Sequence, residues 1–339
     1  MEFLEINGGY GEGGGQIIRS ALTISCITNK PIWIKDIRKN RKKPGLMKQH
    51  LTVIKILKKL TDCQVDGDTF GSTELKFIPG IIKNSKASID VGSAGSISLI
   101  LQTIIPLACV IEKKLEVEII GGTDVLWSPT LDYTNYIVKE AYNRMGINFS
   151  VSVNKRGYYP KGGGKVSIDI FPSKINSIEL TGEEISNLEI ICSYAKISKE
   201  KIISNVKKIN QIFLENNFTV NYKINEFDSI DSGASILIYG IGKKSIFGFD
   251  SLLNFDENFE LDSEMIFNFN CGVDDYLADM LVVLACIANG KTRFVVKNIT
   301  KHLETNLFVC SKISGSKYGI GKINNNYEII IEGISYSSV

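Results

Sequence analysis

The sequence predicts an α/β (α+β) fold in which pairs of helices lie beside small sheets and a smaller α/β domain is inserted. Three observations lead to this prediction. A helix–turn–strand segment occurs three times, a second helix follows it, and about 100 residues with their own helix–strand pattern separate the second and third occurrences. The pairing of helices distinguishes the chain from a single long series of alternating strands and helices.

The repeated segment is an apolar helix of about a dozen residues, then a polar turn that contains lysine, then a β-branched strand. The copies span Gly15–Ile37, Gly95–Ile120 and Tyr276–Ile299. Glycine-containing turns and further strands close each unit. The remaining predicted elements are second helices over Gly45–Leu60, Asp132–Met145 and, shortened, Thr305–Lys312, and a closing strand over Tyr327–Ile334.

The spacing of the copies indicates an insertion. The first two copies are offset by about 80 residues, from Ile17 to Ile97, but the third begins near residue 277 instead of 177. We therefore predict a large three-repeat domain over 1–172 and 271–339 and a small inserted domain over 173–270. Within Ser173–Asn270 we predict strands over Leu188–Tyr194, Phe218–Ile224 and Ala234–Gly240 and a helix over Lys199–Glu215.

The composition is that of an ordinary globular protein, since 44% of its 339 residues are apolar and 22% are charged. The longest apolar stretch, Ile97–Ile111, is interrupted by polar residues and a proline, so no transmembrane helix is expected. The N-terminus lacks a secretory signal pattern, and we expect a cytoplasmic protein without membrane contact. Because the net charge is only +2, a polyanion would need a local basic patch.

The seven cysteines are odd in number and form no C-x-x-C pair, so we expect free buried thiols and no metal site. The stretch Gly8–Gln16, GGYGEGGGQ, contains the G-x-G-x-x-G spacing of a dinucleotide-binding loop. An apolar run, Phe3–Ile6, precedes it, and Asp36 lies about where a ribose-binding carboxylate would be. NAD binding is therefore one hypothesis, which the paired helices argue against. Neither a Walker-type ATPase nor an α/β serine hydrolase is supported by a motif.

Only two histidines occur, and one of them, His302, directly follows the strand of the third repeat. An isolated histidine is more often structural than catalytic. A catalytic role is favoured here because the chain has almost no other base near neutral pKa and because the junction exposes side chains. No H-x-x-x-H pattern supports a metal role. The flanking side chains that are suited to holding an anion are Thr300, Lys301, Thr305 and Asn306.

A basic segment, Lys35–Lys48, carries seven lysines and arginines against the single acid Asp36. A solvated loop is the ordinary interpretation. Binding of phosphate or nucleic acid is an equal alternative, because arginine contacts phosphate in bidentate fashion. Two further glycine loops, Gly92–Ser96 and Gly162–Gly164, have the composition both of anion-binding turns and of ordinary turns.

Seven motifs, in order from residue 5 to about 310, closely resemble the RNA 3'-terminal phosphate cyclase family. The resemblance is weakest in the inserted segment. It implies three repeats, each of two helices on a four-stranded sheet, and a small inserted domain. The motifs are GEGGGQIIRS at Gly11–Ser20, R-x-K-P-G-L-x-x-Q-H at Arg41–His50, GSAGS at Gly92–Ser96, GGTD at Gly121–Asp124, R-G-x-x-P-x-G-G-G at Arg156–Gly164, YLAD at Tyr276–Asp279 and H-L-x-T-N at His302–Asn306.

The resemblance also implies an ATP-dependent ligase that acts on RNA with a 3'-terminal phosphate. In such an enzyme a histidine takes AMP from ATP and releases pyrophosphate. The AMP passes to the RNA 3'-phosphate, the neighbouring 2'-hydroxyl attacks, and a 2',3'-cyclic phosphodiester remains as AMP leaves. Neutral imidazole is a fair nucleophile, and AMP turns a poor electrophile into a good one.

Residue roles follow from the matching positions. The resemblance implies His302 as the nucleophile, Glu12 as a ligand of Mg²⁺ or Mn²⁺ on the triphosphate, and Tyr276 as a ring that stacks on adenine. For His50, RNA binding and simple packing are equal alternatives. The implied ATP contacts are Gln102, Pro129, Tyr276, Leu277, Ala278, Asp279 and Met280, and the implied phosphate or RNA contacts are Arg19, Arg38, Arg41, Gln49 and His50.

One position departs from the family pattern, since Met280 stands where members often have glutamine, and a side-chain hydrogen bond there is in doubt. The family also has a eukaryotic branch that assembles ribosomes without catalysis and lacks the histidine. A non-catalytic RNA-processing or ribosome-assembly factor is therefore the alternative function, and His302 argues for the enzyme. A related fold transfers enolpyruvyl groups, but the His302 motif has no role there. The sequence does not determine the oligomeric state.

Overall fold

Four separate four-stranded sheets organise the chain, and three of them share one strand order. The structure is a computed structural model and describes residues 2–254, 256 and 258–336. In each repeat the first two strands pair in parallel, and the fourth and third strands follow in antiparallel pairing. A parallel pair needs a crossover connection, and a helix supplies it in every repeat. The predicted fold class is confirmed.

The first repeat shows how the sequence forms these elements. The crossover helix carries a continuous apolar face that begins at Ile17 and is buried against the sheet. It ends at Asn29, which adopts a left-handed backbone with φ 53°. The elements are β1 (Leu4–Asn7), α1 (Gln16–Thr28), β2 (Ile32–Lys35), α2 (Lys48–Leu60), β3 (Gln64–Asp66) and β4 (Leu75–Ile78).

The second repeat has the same plan with less regular helices. Its crossover helix tightens into a 3₁₀ segment, Ile105–Cys109, at Pro106, which has no backbone N–H to donate. Its second helix contains a π-helical stretch, Thr134–Val138. The elements are β5 (Lys86–Asp90), α3 (Ile97–Ile104), β6 (Leu115–Gly121), α4 (Leu131–Tyr133), α5 (Lys139–Arg144), β7 (Phe149–Lys155) and β8 (Gly164–Ile170).

The third repeat is interrupted after its first strand, β9 (Glu179–Leu180). The chain then forms the fourth sheet before it returns. The segment predicted as the insertion, 173–270, therefore includes β9, which belongs to the third sheet. The division into two domains stays a prediction. The intervening elements are β10 (Asn187–Ala195), α6 (Lys199–Glu215), β11 (Thr219–Glu226), β12 (Gly233–Ile241), β13 (Ile246–Leu252) and α7 (Ser263–Phe267).

The third repeat then resumes with its two helices and remaining strands. Thr300 caps its second helix by accepting the Leu303 N–H at 3.0 Å, and Gly315 ends it at φ 89°. The predicted short helix Thr305–Lys312 is therefore longer at both ends. The elements are α8 (Asp275–Ile287), β14 (Lys291–Val296), α9 (Lys301–Ser314), β15 (Lys317–Ile323) and β16 (Asn326–Glu332).

Two hydrophobic clusters fill the interior. The larger spans the three repeats, and the smaller lies between α6 and the fourth sheet. Strand β10 contributes to both, because Ile190 faces α6 while Ile191 joins the larger cluster. A strand that is buried on both faces reads as a nearly continuous apolar run, as β10 does. The fourth sheet is thus packed against the repeats and does not stand apart from them.

The composition led to two expectations, one about the cysteines and one about membrane-spanning helices. All seven cysteines are free; six are buried, as expected, and Cys63 is half-buried. Across the described ranges we find no helix with the length and apolar character needed to cross a membrane.

A buried ion-pair network joins the second repeat to the fourth sheet. Arg156, 1% exposed, donates to Asp124 at 3.0 and 3.1 Å and to Asp132 at 2.6 Å. The Ser193 hydroxyl of β10 accepts from Arg156 at 3.0 Å and donates to Asp132 at 2.7 Å. The guanidinium also lies over the ring of Phe227 at 4.6 Å. Two carboxylates are thus desolvated around one cation.

Removal of the Arg156 guanidinium is expected to destabilise the folded protein. Arg156→Ala leaves two buried carboxylates without their partner, and we expect the free energy of unfolding to fall by about 3–5 kcal/mol. Urea unfolding measures it. The matched control is Arg293→Ala, which breaks solvent-screened ion pairs with Glu179 and Glu328 and should lower the free energy of unfolding much less. Equal losses in the two variants would contradict this account.

Candidate active site

Three helices bring their N-terminal turns to one cleft. The amide of Asn306 on α9 connects them: its oxygen accepts from Ser20 of α1 at 2.7 Å, and its nitrogen donates to the Asp279 carbonyl of α8 at 3.0 Å. The Gln16 amide adds a bond from α1 to the His302 carbonyl at 2.9 Å. The cleft is lined by Gln16, Arg19, Ser20, Leu99, Gln102, Trp127, Pro129, Tyr142, Tyr276, Asp279, Met280, Val283, His302 and Asn306.

The glycine loop Gly8–Gln16 lies against α9. A Cβ atom on Gly11, whose φ is +57°, would overlap the Thr305 hydroxyl oxygen. The neighbouring Tyr10 ring stacks on Phe308 with centroids 4.0 Å apart. The glycines therefore allow a close approach of two protein segments. This packing, together with the strand order, gives the NAD interpretation no support.

His302 is the second residue of α9, and its side chain is 46% exposed in the cleft. Its Nε2 contacts a carboxylate oxygen of Glu12, and its Nδ1 lies 3.7 Å from Oδ2 of Asp279. The ring is thus oriented from both sides by residues of the first repeat and of α8. An accessible imidazole whose two nitrogens face defined partners can act as a nucleophile.

Arg19 and Asp279 are charged groups held in a poorly solvated part of the cleft. Burial lowers the pKa of Arg19 to about 10, although Asp279 favours its charged form. Burial raises the pKa of Asp279 well above its usual range, and the nearby Asp275 and Glu12 raise it further. Arg19 Nε and Asp279 Oδ1 have no hydrogen-bond partner among the described residues. Unpaired polar atoms of this kind are available to a polar ligand.

The basic segment reaches the cleft through Arg41, which pairs with the second carboxylate oxygen of Glu12. Arg38 instead donates to two backbone carbonyls of its own loop, Lys43 at 2.7 Å and Gly45 at 3.2 Å. Burial and the nearby Arg41 lower the Arg38 pKa. Two arginines thus lie close enough to repel each other, which favours an anion between them.

His50 lies in the first turn of α2, beside the start of α1. Its Nδ1 accepts the Met47 N–H at 3.0 Å, and a Cβ on Gly15 would overlap its ring at Nε2. Burial, then Arg19 and Arg38, lower the His50 pKa to about 3. The ring is therefore neutral and packed. This supports the packing alternative, and contact with RNA stays a prediction.

The cleft lining includes Gln102, Pro129, Tyr276, Asp279 and Met280, five of the seven residues that the resemblance implies as ATP contacts. Tyr276 is half-exposed and lies edge-on to the buried ring of Tyr133. The other two proposed contacts do not reach this space. The side chains of Leu277 and Ala278 are 0% exposed and lie in the core.

The family model for RNA 3'-terminal phosphate cyclase matches residues 10–320. The chain belongs to the RNA 3'-terminal phosphate cyclase family. Relatives that carry this name include proteins of Saccharolobus solfataricus, 37% identical over 94% of this chain and 96% of theirs, and of Methanosarcina mazei, 34% identical over 97% and 99%. EPSP synthase from Acinetobacter baumannii aligns with a TM-score of 0.26 at 11% identity, which supports no statement about this chain. The predicted family and its enzyme class, the ATP-dependent ligases, are confirmed.

Several residues around this cyclase-family cleft have different roles from those expected. Three of the four side chains expected to hold an anion at the start of α9 are engaged: Thr300 caps the helix, Thr305 donates to the Lys301 carbonyl at 2.6 Å, and Asn306 bridges helices. The fourth, Lys301, is exposed. The loops Gly92–Ser96 and Gly162–Gly164 pack on one another, since a Cβ on Gly162 would lie 2.8 Å from the Ser93 carbonyl oxygen. Close packing therefore explains Gly162, whereas Gly92 has open space around it and is favoured by its φ of +69°.

Some residues that line the cleft could not be expected there from the sequence. The motifs contain Gln16 and Ser20, so a signal for both was present, but their bonds to α9 depend on which helices meet. Trp127 and Leu99 lie outside the motifs, and only the packing of the repeats brings them to the cleft. Gln49 has a buried amide nitrogen without a partner in the described part of the chain.

The His50 environment predicts a pH effect on stability. The unfolded imidazole titrates near pH 6.5 and the folded one at about 3, so the unfolded chain binds the extra proton between these values. The contribution of His50 to the free energy of unfolding should therefore decrease as the pH falls below about 6.5. The decrease is at most roughly 1.4 kcal/mol per pH unit. Urea unfolding from about pH 7 to pH 5 should show a shallower pH dependence in His50→Gln. An His50 ring resonance that titrates near 6.5 by NMR would contradict the prediction.

Proposed function

We propose that this protein converts RNA 3'-terminal phosphates to 2',3'-cyclic phosphodiesters with ATP, through a histidine–AMP and an RNA-(3')pp(5')A intermediate. The observation that carries the proposal is His302. It is an accessible imidazole at a helix N-terminus, between two carboxylates and beside a buried arginine, in a cleft that also presents Tyr276 and Pro129. The cleft thus combines a nucleophile with groups for a nucleoside and for phosphate.

In the first step Nε2 of His302 attacks the α-phosphorus of ATP, and pyrophosphate leaves with the electrons of the broken P–O bond. Asp279 faces Nδ1 and directs Nε2 away from α8. The α9 N-terminus, with its aligned N–H groups, favours the negative charge on the α-phosphate. Tyr276 would stack on the adenine, which the half-exposed position of its ring allows.

Glu12 fits a role in holding a divalent cation. Its carboxylate supplies the hard oxygen ligands that Mg²⁺ and Mn²⁺ prefer, and a single carboxylate combined with substrate phosphates is a common way to bind Mg²⁺. One oxygen contacts Arg41 and the other contacts Nε2 of His302, so a metal that took the carboxylate would also leave the Nε2 lone pair free for the attack. When bound, the metal would neutralise charge on the triphosphate.

In the second step the RNA 3'-phosphate oxygen attacks the phosphorus of the histidine-bound AMP, and the P–N bond to His302 breaks. The terminal 2'-hydroxyl then attacks the activated 3'-phosphorus, loses its proton, and AMP leaves. Arg19 and Arg41 supply guanidinium groups on the cleft side, and Arg19 has an Nε without a partner in the described structure. Desolvated arginine is well suited to a phosphate dianion.

The test is covalent labelling of purified protein with α-labelled ATP, with Mg²⁺ or Mn²⁺, followed by a denaturing gel. We expect the wild type to carry a label that is released by acid and stable to alkali, as a phosphoramidate is, and we expect His302→Ala to carry none. His50→Ala is the matched control because it removes the other histidine and leaves the nucleophile.

Two outcomes would overturn the proposal. A label that survives in His302→Ala would place the nucleophile elsewhere. A wild type that stays unlabelled with both metals, yet binds RNA, would favour the non-catalytic RNA-processing factor.

A further inference from the structure

Trp127 is the most exposed of the large apolar side chains that the structure describes, at 95% of its surface. It lines the same cleft as Tyr276 and His302. Its backbone is left-handed, with φ 68°, a conformation that is sterically unfavourable for any residue other than glycine. The protein core covers almost none of the Trp127 ring, so packing does not offset the unfavourable backbone conformation. A ligand that covered the ring would offset it.

The loop around Trp127 is fixed on both sides. Ser128 donates its hydroxyl to the Val125 carbonyl at 3.0 Å, and the Thr130 N–H donates to Asp250 of β13 at 2.6 Å. Thr130 in turn caps the helix that follows, by accepting the Tyr133 N–H at 3.2 Å. The exposure of the indole is therefore built into an ordered turn, and the ring is presented in advance of any ligand.

The proposed reaction requires two nucleosides in this cleft at once, the adenosine and the terminal nucleoside of the RNA. Pro129 and Met280 are buried and Tyr276 is half-exposed, so these three are more covered by protein than Trp127 is, and they account for one base. Trp127 lies at the rim, where almost none of its surface is covered by protein. The rim is also the side from which a polymer must enter, because a chain cannot pass through the buried core.

We propose that Trp127 is the stacking platform for the 3'-terminal nucleobase of the RNA. This inference rests on the proposed function. Stacking on an indole accepts any base, since each has a π-face, so the contact would hold the RNA end without selecting its sequence. It would place the 3'-phosphate toward His302 and the arginines.

The decisive experiment pairs a protein change with a substrate change. Cyclisation is measured with a short RNA that ends in a 3'-phosphate, and with the same RNA whose terminal ribose carries hydrogen in place of the base. We expect Trp127→Ala to raise KM for the complete RNA by about five- to a hundredfold, and Trp127→Phe to restore most of the loss. For the RNA without its terminal base, wild type and Trp127→Ala should have similar KM values.

Fluorescence gives a readout that does not depend on turnover. The chain has two tryptophans, and the other, Trp33, lies on β2 with Lys35 above its ring at 3.6 Å. In a Trp33→Phe background the remaining emission comes from Trp127. Addition of the 3'-phosphate RNA should quench it, and the RNA without its terminal base should quench it much less.

The outcomes separate this inference from the proposed function. Labelling of His302 by ATP must first succeed in the wild type, and its failure would remove the proposed function itself. If labelling succeeds but Trp127→Ala leaves KM for RNA unchanged, the platform is refuted. If the variant raises KM for ATP more than KM for RNA, the indole contacts adenine and the inference is wrong.

Discussion

The amide side chain of Asn306 is the contact on which the geometry of the cleft depends. It accepts from Ser20 and donates to the Asp279 carbonyl, so it fixes α9 to α1 and to α8 at the level of His302. Asn306 lies one helical turn after His302, and its side chain is buried. A buried amide that is satisfied at both ends specifies one arrangement of its neighbours. The position of the nucleophile thus follows from a polar bridge between helices of two different repeats.

Around this bridge lie ionisable groups that water solvates poorly. Arg19, Asp279 and His50 all have shifted pKa values, with burial as the largest cause. A protein core usually pairs such groups completely. Here polar atoms of Arg19 and Asp279 lack partners in the described structure, which leaves part of their desolvation cost to be offset by a ligand. The two unpaired buried atoms thus lower the folding stability at the place where a polar ligand would bind.

The fourth sheet contributes to this cleft although it forms a separate cluster with α6. Strand β13 accepts the Thr130 N–H through Asp250, and the Gly248 N–H donates to Asp274 at 2.9 Å. The same Asp274 carboxylate accepts from Tyr133 and from the N–H groups of Tyr276 and Leu277 at the start of α8. Burial raises the pKa of Asp274 to about 6. The inserted segment therefore supports two cleft elements, the turn that carries Trp127 and the first turn of α8.

The repeated helix–strand units and the helix Lys199–Glu215 could be predicted from the sequence, because hydrophobic periodicity is a local property. The sequence did not reveal β13 or the pairing of β9 with β14. The motifs identified the family and brought His302, Glu12 and Arg19 into consideration. Which side chains face the cleft depends on the packing of the repeats: Thr305 and Asn306 bond within the protein, Leu277 and Ala278 are buried, and Trp127 lines the cleft with its ring exposed. The reason is physical. Strand partners and helix–helix contacts join residues far apart in the chain, so whether a side chain packs, bridges or faces solvent depends on neighbours that local pattern does not specify.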